Sequence, residues 1–354
     1  MNFYYLCATQ SSNVGDLLIN KMLIDELCKY GNVYVDCYNI PNTFKQYILE
    51  NTRTVDVYEI NSFSLKKGDI IKFFKFAKKT NIHFFTQSPG PLGKLSKSYS
   101  LYFKLISRIL KLLKIKYYLI GNCCSKSIAA HEKISINNAD NYLVRSDSSV
   151  KYLLNLGIKN VQYIPDLAFL YRQKAQISEK QKIVTLSFRE VNIDYSLFLK
   201  WIKQILSLLN KNGFHAEFIY QVHKDKEFAT KLKSDLCKEP NITFIEEIIW
   251  FNKINYYSGK SIVISNRLHS LLLGALHNAI PLAFCDKNIE LAKITDVYNT
   301  SFKELSDDFL ISIDSTNKIE NILNNLTYYA EHVRKIVDYN SELCHEKIKQ
   351  LYDN

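Results

Sequence analysis

The sequence is short of the residues that interrupt or cross-link a chain. Its 354 residues include only 10 Gly, 6 Pro and 8 Cys, which excludes collagen-like and low-complexity chains. No Cys-x-x-Cys pair or paired zinc spacing occurs, so we expect reduced thiols and no metal site. The sequence contains no run of 18 apolar residues, the length needed to span a bilayer. The first residues lack the basic start and long apolar stretch of a signal peptide, and we expect a cytoplasmic protein.

The residues that are abundant favour a large folded protein with anionic partners. Hydrophobic residues make up 47% of the chain and aromatic residues 13%, which excludes a disordered chain. The length exceeds one ordinary domain, so we expect two. Lys and Arg outnumber Asp and Glu by 46 to 35, giving a net charge of +11. Such a balance favours nucleic acid, an anionic membrane surface or phosphorylated small molecules as partners.

Strand and helix patterns alternate along the whole chain, which predicts an α/β protein with parallel sheets. The polar segment 171–176 interrupts this alternation, so we predict two Rossmann-like domains, residues 1–172 and 173–354. We predict strands at 2–8, 33–38, 55–60, 82–86, 117–121, 141–145, 161–164, 182–188, 215–220, 242–245, 261–265 and 280–285. We predict helices at 16–29, 99–114, 147–156, 195–211, 226–237, from about 268 to 277, and over most of 317–350.

The segment Ser265–Ser270 carries the strongest functional signal. It follows a short β-branched run that predicts a buried strand, and it precedes an apolar run that predicts a buried helix. Arg267 and His269 therefore lie where ligands bind in open α/β sheets, beside the free N–H groups of a helix start. Arg offers a planar fork for carboxylate or phosphate, and His offers a proton that titrates near neutral pH. This pattern predicts an anionic substrate that needs an acid.

Two loops in the first half end strands in the same way. Asn13 and Gly15 permit a tight loop, and Asp16 is a good helix cap; an ordinary capped loop is the alternative. The loop with Ser88 and Gly90 lies in the densest Pro/Gly cluster and could let the backbone approach a ligand, or could be a plain turn. It lacks the Gly-Lys-Ser/Thr ending of a Walker loop.

Three further polar residues follow predicted strands. Arg145 could hold an anion or pair with a neighbouring carboxylate. Arg189 could face the same site as Arg267, or form a surface salt bridge. His223 is a second candidate acid or ligand, although a solvated loop histidine is the commoner case.

The segment 99–118 predicts an amphipathic helix. Lys104, Arg108 and Lys111 share one helical face, and the rest is strongly apolar. It could contact an anionic membrane from the cytoplasmic side, as a peripheral association. The alternative is a core helix with one solvated stripe, which has the same pattern in an α/β domain.

Taken together, these motifs and their order resemble the polysaccharide pyruvyl transferase family over roughly residues 9–290. The matching residues are Asn13, Gly15, Asp16, Ser88–Pro91, Ala139, Asp140, Val144, Arg145, Ser149, Leu156–Ile158, Pro165–Phe169, Ser187–Arg189, Arg267–Ser270, Ala275, Pro281 and Lys287.

The resemblance implies two Rossmann-like domains whose parallel sheets face a central cleft, similar to GT-B glycosyltransferases. It places the acceptor on the side of residues 1–172 and the donor on the side of residues 173–354. It implies phosphoenolpyruvate as co-substrate, with no other cofactor, and a saccharide acceptor that could be lipid-linked. On the matching positions it implies that Arg267 clamps the donor together with Leu268 and Ser270, and that His269 is the general acid. Arg189 is the expected second anion-binding residue. Asp16 is expected to act on the acceptor, and Lys287 joins the candidate cleft residues.

Two other classes of function fit the same sequence. A GT-B glycosyltransferase would bind a nucleotide sugar and should show a ribose-binding carboxylate, for which Glu246 and Glu247 are the candidates. A non-enzymatic, membrane-associated assembly partner would use the 99–118 helix and the positive charge. We do not expect nucleic-acid binding, because the basic residues look dispersed and no nucleic-acid-binding motif occurs.

Overall fold

A computed structural model describes residues 1–50, 57–93, 96–124, 128–191, 193–285 and 292–353. These residues form two compact units. The first contains Met1–Ser11, Asp16–Leu167 and Leu343–Asn354, and the second contains Ser12–Gly15 and Ala168–Glu342. Each unit is built on its own sheet, and the strand pairings described in both sheets are parallel. Among the described residues, no helix combines the length and the apolarity needed to cross a bilayer.

The first sheet has the strand order β3-β2-β1-β4-β6-β7-β8, with β5 paired to β6 outside this path. Its strands are β1 (Asn2–Leu6), β2 (Asn32–Asp36), β3 (Val57–Glu59), β4 (Phe84–Gln87), β5 (Pro91–Leu92), β6 (Lys116–Cys124), β7 (Asn141–Val144) and β8 (Val161–Tyr163). The helices between them are α1 (Val14–Leu27), α2 (Asn42–Leu49), α3 (Ile70–Thr80), α4 (Lys97–Leu112), α5 (Ala130–Ile136) and α6 (Asp147–Asn155).

The second sheet has the order β11-β10-β9-β12-β13-β14. Its strands are β9 (Ile183–Ser187), β10 (His215–Phe218), β11 (Ile242–Phe244), β12 (Ile262–Ser265), β13 (Ile280–Phe284) and β14 (Leu310–Ile311). Its helices are α7 (Tyr195–Lys211), α8 (Lys226–Leu236), α9 (Leu268–Leu276), α10 (Ala292–Ser301), α11 (Ser306–Phe309) and α12 (Thr316–Asn324). The last helix, α13 (Leu326–Gln350), begins in the second unit and ends in the first.

The two parallel α/β sheets confirm the predicted fold class. The predicted strands recur with shifts of up to three residues at their ends. The helices α2, α3, α5, α10 and α11 and the two-residue strands β5 and β14 were missed. Helix α3 buries Phe73 and Ala77, four residues apart, so its helical period was present in the sequence. The assignment of an acceptor side and a donor side to the two halves stays a prediction.

The centre of the second unit is the contact between β12 and α9. All four residues of β12 are buried, as are Ser270–Leu276 of α9. Gly274 lies against this strand so closely that an added Cβ would stand 2.4 Å from Cγ2 of Val263. A glycine is therefore required for the helix to pack this closely against the sheet.

We expect Gly274→Ala to lower the free energy of unfolding by about 1–3 kcal/mol, the usual result of overpacking a core. The loss should occur although Ala is the better helix former. Denaturant unfolding of the variant measures it. The control is Gly90→Ala, because a Cβ on Gly90 would meet nothing nearer than 4.0 Å.

Adding Val263→Ala removes the atom at 2.4 Å from the new Cβ. The double variant should therefore lose less stability than the two single variants together. Strict additivity of the two losses would contradict the proposed clash.

Candidate active site

Two side chains tie the carboxyl ends of neighbouring strands β9 and β12 together. The hydroxyl of Ser265 donates to the backbone oxygen of Ser187 and accepts the N–H of Arg267 at 2.9 Å. The side-chain amide of Asn266 binds the backbone of Arg189 twice. Its Oδ1 accepts the N–H at 2.8 Å and its Nδ2 donates to the carbonyl at 3.1 Å. These hydrogen bonds place Arg189 and Arg267 side by side at one edge of the sheet.

Helix α9 begins directly after these hydrogen-bonded residues of β12. Arg267 stands at the N-cap position with extended backbone, and its own side chain makes no capping hydrogen bond. The first N–H groups of a helix lack intrahelical partners and carry a partial positive charge. Leu268, His269 and Ser270 supply this first turn, so the helix starts where the sequence predicted it. Its free N–H groups are of the kind that suits an anion.

The two arginines share one buried carboxylate. A terminal nitrogen of Arg267 donates to Oδ1 of Asp225, whose side chain is only 4% exposed. Burial raises the pKa of Asp225, while the charges of Arg267 and Arg189 oppose that rise. Burial and the charge of Arg267 lower the pKa of Arg189, and the negative charge of Asp225 partly opposes this lowering. Arg189, Asp225 and Arg267 therefore form one interacting group with a net charge of +1.

The side chain of Ser270 lies beneath the start of α9. It is fully buried, its hydroxyl donates to that of Ser187 at 3.2 Å, and it shares a hydrogen bond with the hydroxyl of Tyr257 at 3.1 Å. Gln221 donates to the same Tyr257 hydroxyl at 2.7 Å. The Ser270 hydroxyl, predicted to bind the donor, is thus part of a buried chain that holds the helix start.

The second unit also brings Gly15 to His269. A Cβ built on Gly15 would lie 1.9 Å from Nδ1 of His269, so only glycine leaves room for the imidazole. Oδ1 of Asn13 accepts the N–H of Gly15 at 2.9 Å and shapes this loop, as its residue type predicted. Asp16 is the third residue of α1 and not its cap, and it is counted with the first unit.

The candidates of the first unit have structural partners. Ser88 is buried, accepts the N–H of Ala8 at 2.9 Å and donates to Asn20 at 2.5 Å. The guanidinium of Arg145 forms a buried ion pair with Asp166 at 2.9 Å, which is the pairing alternative considered from the sequence. Gly90 has open space around it, so no close backbone approach requires glycine there.

The remaining candidates divide between an exposed loop and an undescribed segment. His223 is exposed, and the carboxylate two residues further on, Asp225, is the one that reaches Arg267. Sequence reasoning missed Asp225, although it follows the end of β10 at the same sheet edge. Lys287 lies outside the described residues. No cluster of three or more His, Cys, Asp or Glu that could hold a metal occurs in the described part of the chain.

Comparison with known proteins gives a family and a fold. The family model described as polysaccharide pyruvyl transferase matches residues 13–279. No curated protein gives a significant sequence match. UDP-GlcNAc 2-epimerase from Neisseria meningitidis, bound to UDP-GlcNAc, is 11% identical with a TM-score of 0.64, and the match covers 100% of both chains. A glycosyltransferase from Rickettsia africae is 14% identical with a TM-score of 0.62, covering 99% of this chain and 97% of its own.

A third similar structure is HepE from Anabaena in complex with UDP-glucose. It is 10% identical with a TM-score of 0.58, and the match covers 100% of this chain and 98% of that one. At these identities the likeness concerns the fold, which is therefore of the GT-B kind.

We expect Gly15→Ala to displace the imidazole of His269, because the new methyl group would overlap the ring. The change should shift the His269 signals in an NMR spectrum of the imidazoles, assigned with a His269→Gln variant, and should lower stability by about 1–3 kcal/mol. Ser12→Ala, at an exposed position in the same loop, is the control.

Combining Gly15→Ala with His269→Ala should restore the stability lost in the first variant, because it removes the overlapping ring. Unchanged His269 signals in Gly15→Ala would contradict this contact.

Proposed function

The chain belongs to the polysaccharide pyruvyl transferase family, and on this premise we propose that it transfers the pyruvyl group of phosphoenolpyruvate to two hydroxyls of a saccharide. The product would be a pyruvate ketal on a precursor of a cell-surface polysaccharide. The observation that carries this proposal is the Arg189–Asp225–Arg267 group at the start of α9, two residues before His269. This arrangement suits a small polyanion that must be protonated during the reaction.

Phosphoenolpyruvate carries a carboxylate and a phosphate on one small frame. Each of two guanidinium groups can bind one of these anionic groups by donating a pair of charge-assisted hydrogen bonds. The N–H groups of Leu268 and its neighbours add partial positive charge from the helix start. We assign Arg267 and Arg189 to the donor, with Asp225 as the residue that holds the Arg267 guanidinium in place.

His269 is assigned the role of general acid. Its proton goes to the methylene carbon of the donor, which becomes a methyl group while positive charge develops on the neighbouring carbon. One sugar hydroxyl adds to that carbon and loses its proton, and the C–O bond to phosphate then breaks. The second hydroxyl adds, loses its proton and closes the ketal. Asp16 is proposed to orient or deprotonate an acceptor hydroxyl, because a carboxylate is a suitable base for that step.

A nucleotide-sugar-dependent glycosyltransferase is the second candidate. The observation in its favour is the fold, which resembles structures bound to UDP-GlcNAc and UDP-glucose. The ribose-binding carboxylate expected for this class has little support. Glu246 and Glu247 are more than 70% exposed and form ion pairs with Lys233 and Lys253. We therefore favour pyruvyl transfer.

Calorimetry with phosphoenolpyruvate and a panel of UDP- and GDP-sugars tests the donor. We expect phosphoenolpyruvate alone to bind, and Arg267→Lys to weaken it by about 10-fold or more, because an ammonium cannot form the paired hydrogen bonds of a guanidinium. Arg334→Lys, at an exposed position on α13, should leave the affinity unchanged. Binding of a nucleotide sugar instead would turn the chemistry to glycosyl transfer and remove the role given to His269.

The pKa of the His269 imidazole should rise when the donor binds, because a dianion beside the ring stabilises its charged form. NMR titration with and without phosphoenolpyruvate measures this, with the exposed His83, before the start of β4, as internal reference. Below the raised pKa the bound complex holds a protonated His269, so transfer should decline as the pH passes above it. An unchanged pKa would exclude His269 as the residue beside the donor.

A further inference from the structure

The positive charge of this protein is concentrated in one stretch of the chain. Residues 70–131 contain 12 Lys and Arg and no Asp or Glu. The rest of the chain then holds 34 basic and 35 acidic residues, a net charge of −1. The impression from the sequence that basic residues are dispersed was therefore wrong. The whole excess of +11 is carried by this stretch.

Eight of these twelve basic residues belong to two helices, α3 and α4, on one face of the first sheet. Phe85 of β4 packs against Phe73 of α3, with ring centroids 6.5 Å apart, and against Phe103 of α4 at 6.2 Å. Both helices thus turn their inner sides to the same strand. Their outer sides form one surface of the first unit, which we call the α3–α4 face.

The α3–α4 face is apolar as well as basic. Leu101, Leu105 and Leu112 are 57%, 47% and 79% exposed, and they lie on the side of α4 opposite its buried residues. Ile71 of α3 is 73% exposed. Exposed aliphatic side chains at helical spacing are unusual on a solvated surface, where they gain nothing from water.

Basic side chains flank these aliphatic residues. Arg108 and Lys111 are exposed and Lys104 is half-buried on α4, and four lysines lie on α3. Among the Lys and Arg residues in the described part of 70–131, only Lys72 forms an ion pair, with Asp69 at 3.5 Å. The remaining positive charges of the face thus have no carboxylate to neutralise them, which favours an anionic partner.

We propose that the α3–α4 face docks onto an anionic lipid bilayer, with α4 lying in the plane of the headgroups. A helix with aliphatic residues on its outer face and Lys and Arg around them is the structure that binds in this way. A purely electrostatic partner such as RNA or an acidic polysaccharide would have no use for exposed leucines. This docking goes beyond the proposed transfer reaction and does not depend on it.

Co-sedimentation with vesicles tests the proposal on the full chain. Vesicles of phosphatidylcholine with 30% phosphatidylglycerol are compared with phosphatidylcholine alone in 0.1 M NaCl. We expect binding to the anionic vesicles that falls at least 10-fold without phosphatidylglycerol and weakens again in 0.5 M NaCl. Each Lys or Arg near such a surface contributes roughly fivefold, so Lys104→Gln, Arg108→Gln and Lys111→Gln together should weaken binding by about 100-fold.

Substitution of the exposed leucines of α4 is the decisive part of the experiment. Leu101→Gln with Leu112→Gln should weaken vesicle binding at least 10-fold while leaving the melting temperature unchanged, because both side chains are exposed. The matched control is Leu154→Gln with Leu197→Gln, two exposed leucines on α6 and α7. The matched charge control is the exchange of Lys200, Lys203 and Lys211 on α7 to Gln. Both controls should bind like the wild type.

Three results would overturn the proposal. They are no binding to the anionic vesicles, binding that the leucine pair does not affect, and tighter binding of poly(U) RNA or heparin than of vesicles at equal anionic charge. The last would assign the α3–α4 face to a soluble polyanion. Donor and acceptor are absent from this experiment, so its failure would leave the transferase proposal untouched.

Discussion

The candidate site depends on one set of hydrogen bonds, those by which Ser265 and Asn266 join the end of β12 to the end of β9. Parallel strands leave their last carbonyl and N–H groups at the sheet edge, where they must find partners. Here the partners come from two side chains that directly precede Arg267. The same residues that satisfy the backbone also fix the spacing of Arg189 and Arg267. The lack of a side chain at Gly274 allows α9 to pack closely against Val263 of β12.

Placing two guanidinium groups together, partly out of water, is unfavourable unless negative charge compensates them. Asp225 supplies negative charge, and one carboxylate beside two arginines leaves the group with a net charge of +1. A donor anion could neutralise this remaining charge. Asp225 therefore has two physical effects. It reduces the repulsion between the two arginines, and it orients Arg267 through a hydrogen bond.

Much of this arrangement could be predicted from the sequence because it is local. The apolar run before Ser265, the helix after it and the Asn13–Gly15 loop are all contained in short segments, and their positions at strand ends follow from the parallel topology. Which partner a side chain chooses could not be predicted, because that depends on distant residues. Arg145 binds Asp166 and the Ser270 hydroxyl turns inward, whereas Asp225, which no motif singled out, reaches Arg267. The α3 helix was missed although its Phe73 and Ala77 follow a helical period, because it is short and rich in lysine.

The net charge of the chain also divides into two physically different kinds. Arg189 and Arg267 are partly buried and held by defined hydrogen bonds, so they can recognise the shape of a small anion. Dissolved salt screens such short-range, partly buried interactions only weakly. The lysines of the α3–α4 face are exposed, mobile point charges that act together over a surface and are screened by salt. Since 70–131 carries the whole excess of positive charge, the high overall charge says nothing about the donor. The basic composition that first suggested an anionic substrate arises from this stretch, in which eight of the twelve basic residues lie on α3 and α4. The case for an anionic donor depends on Arg189, Asp225 and Arg267 alone.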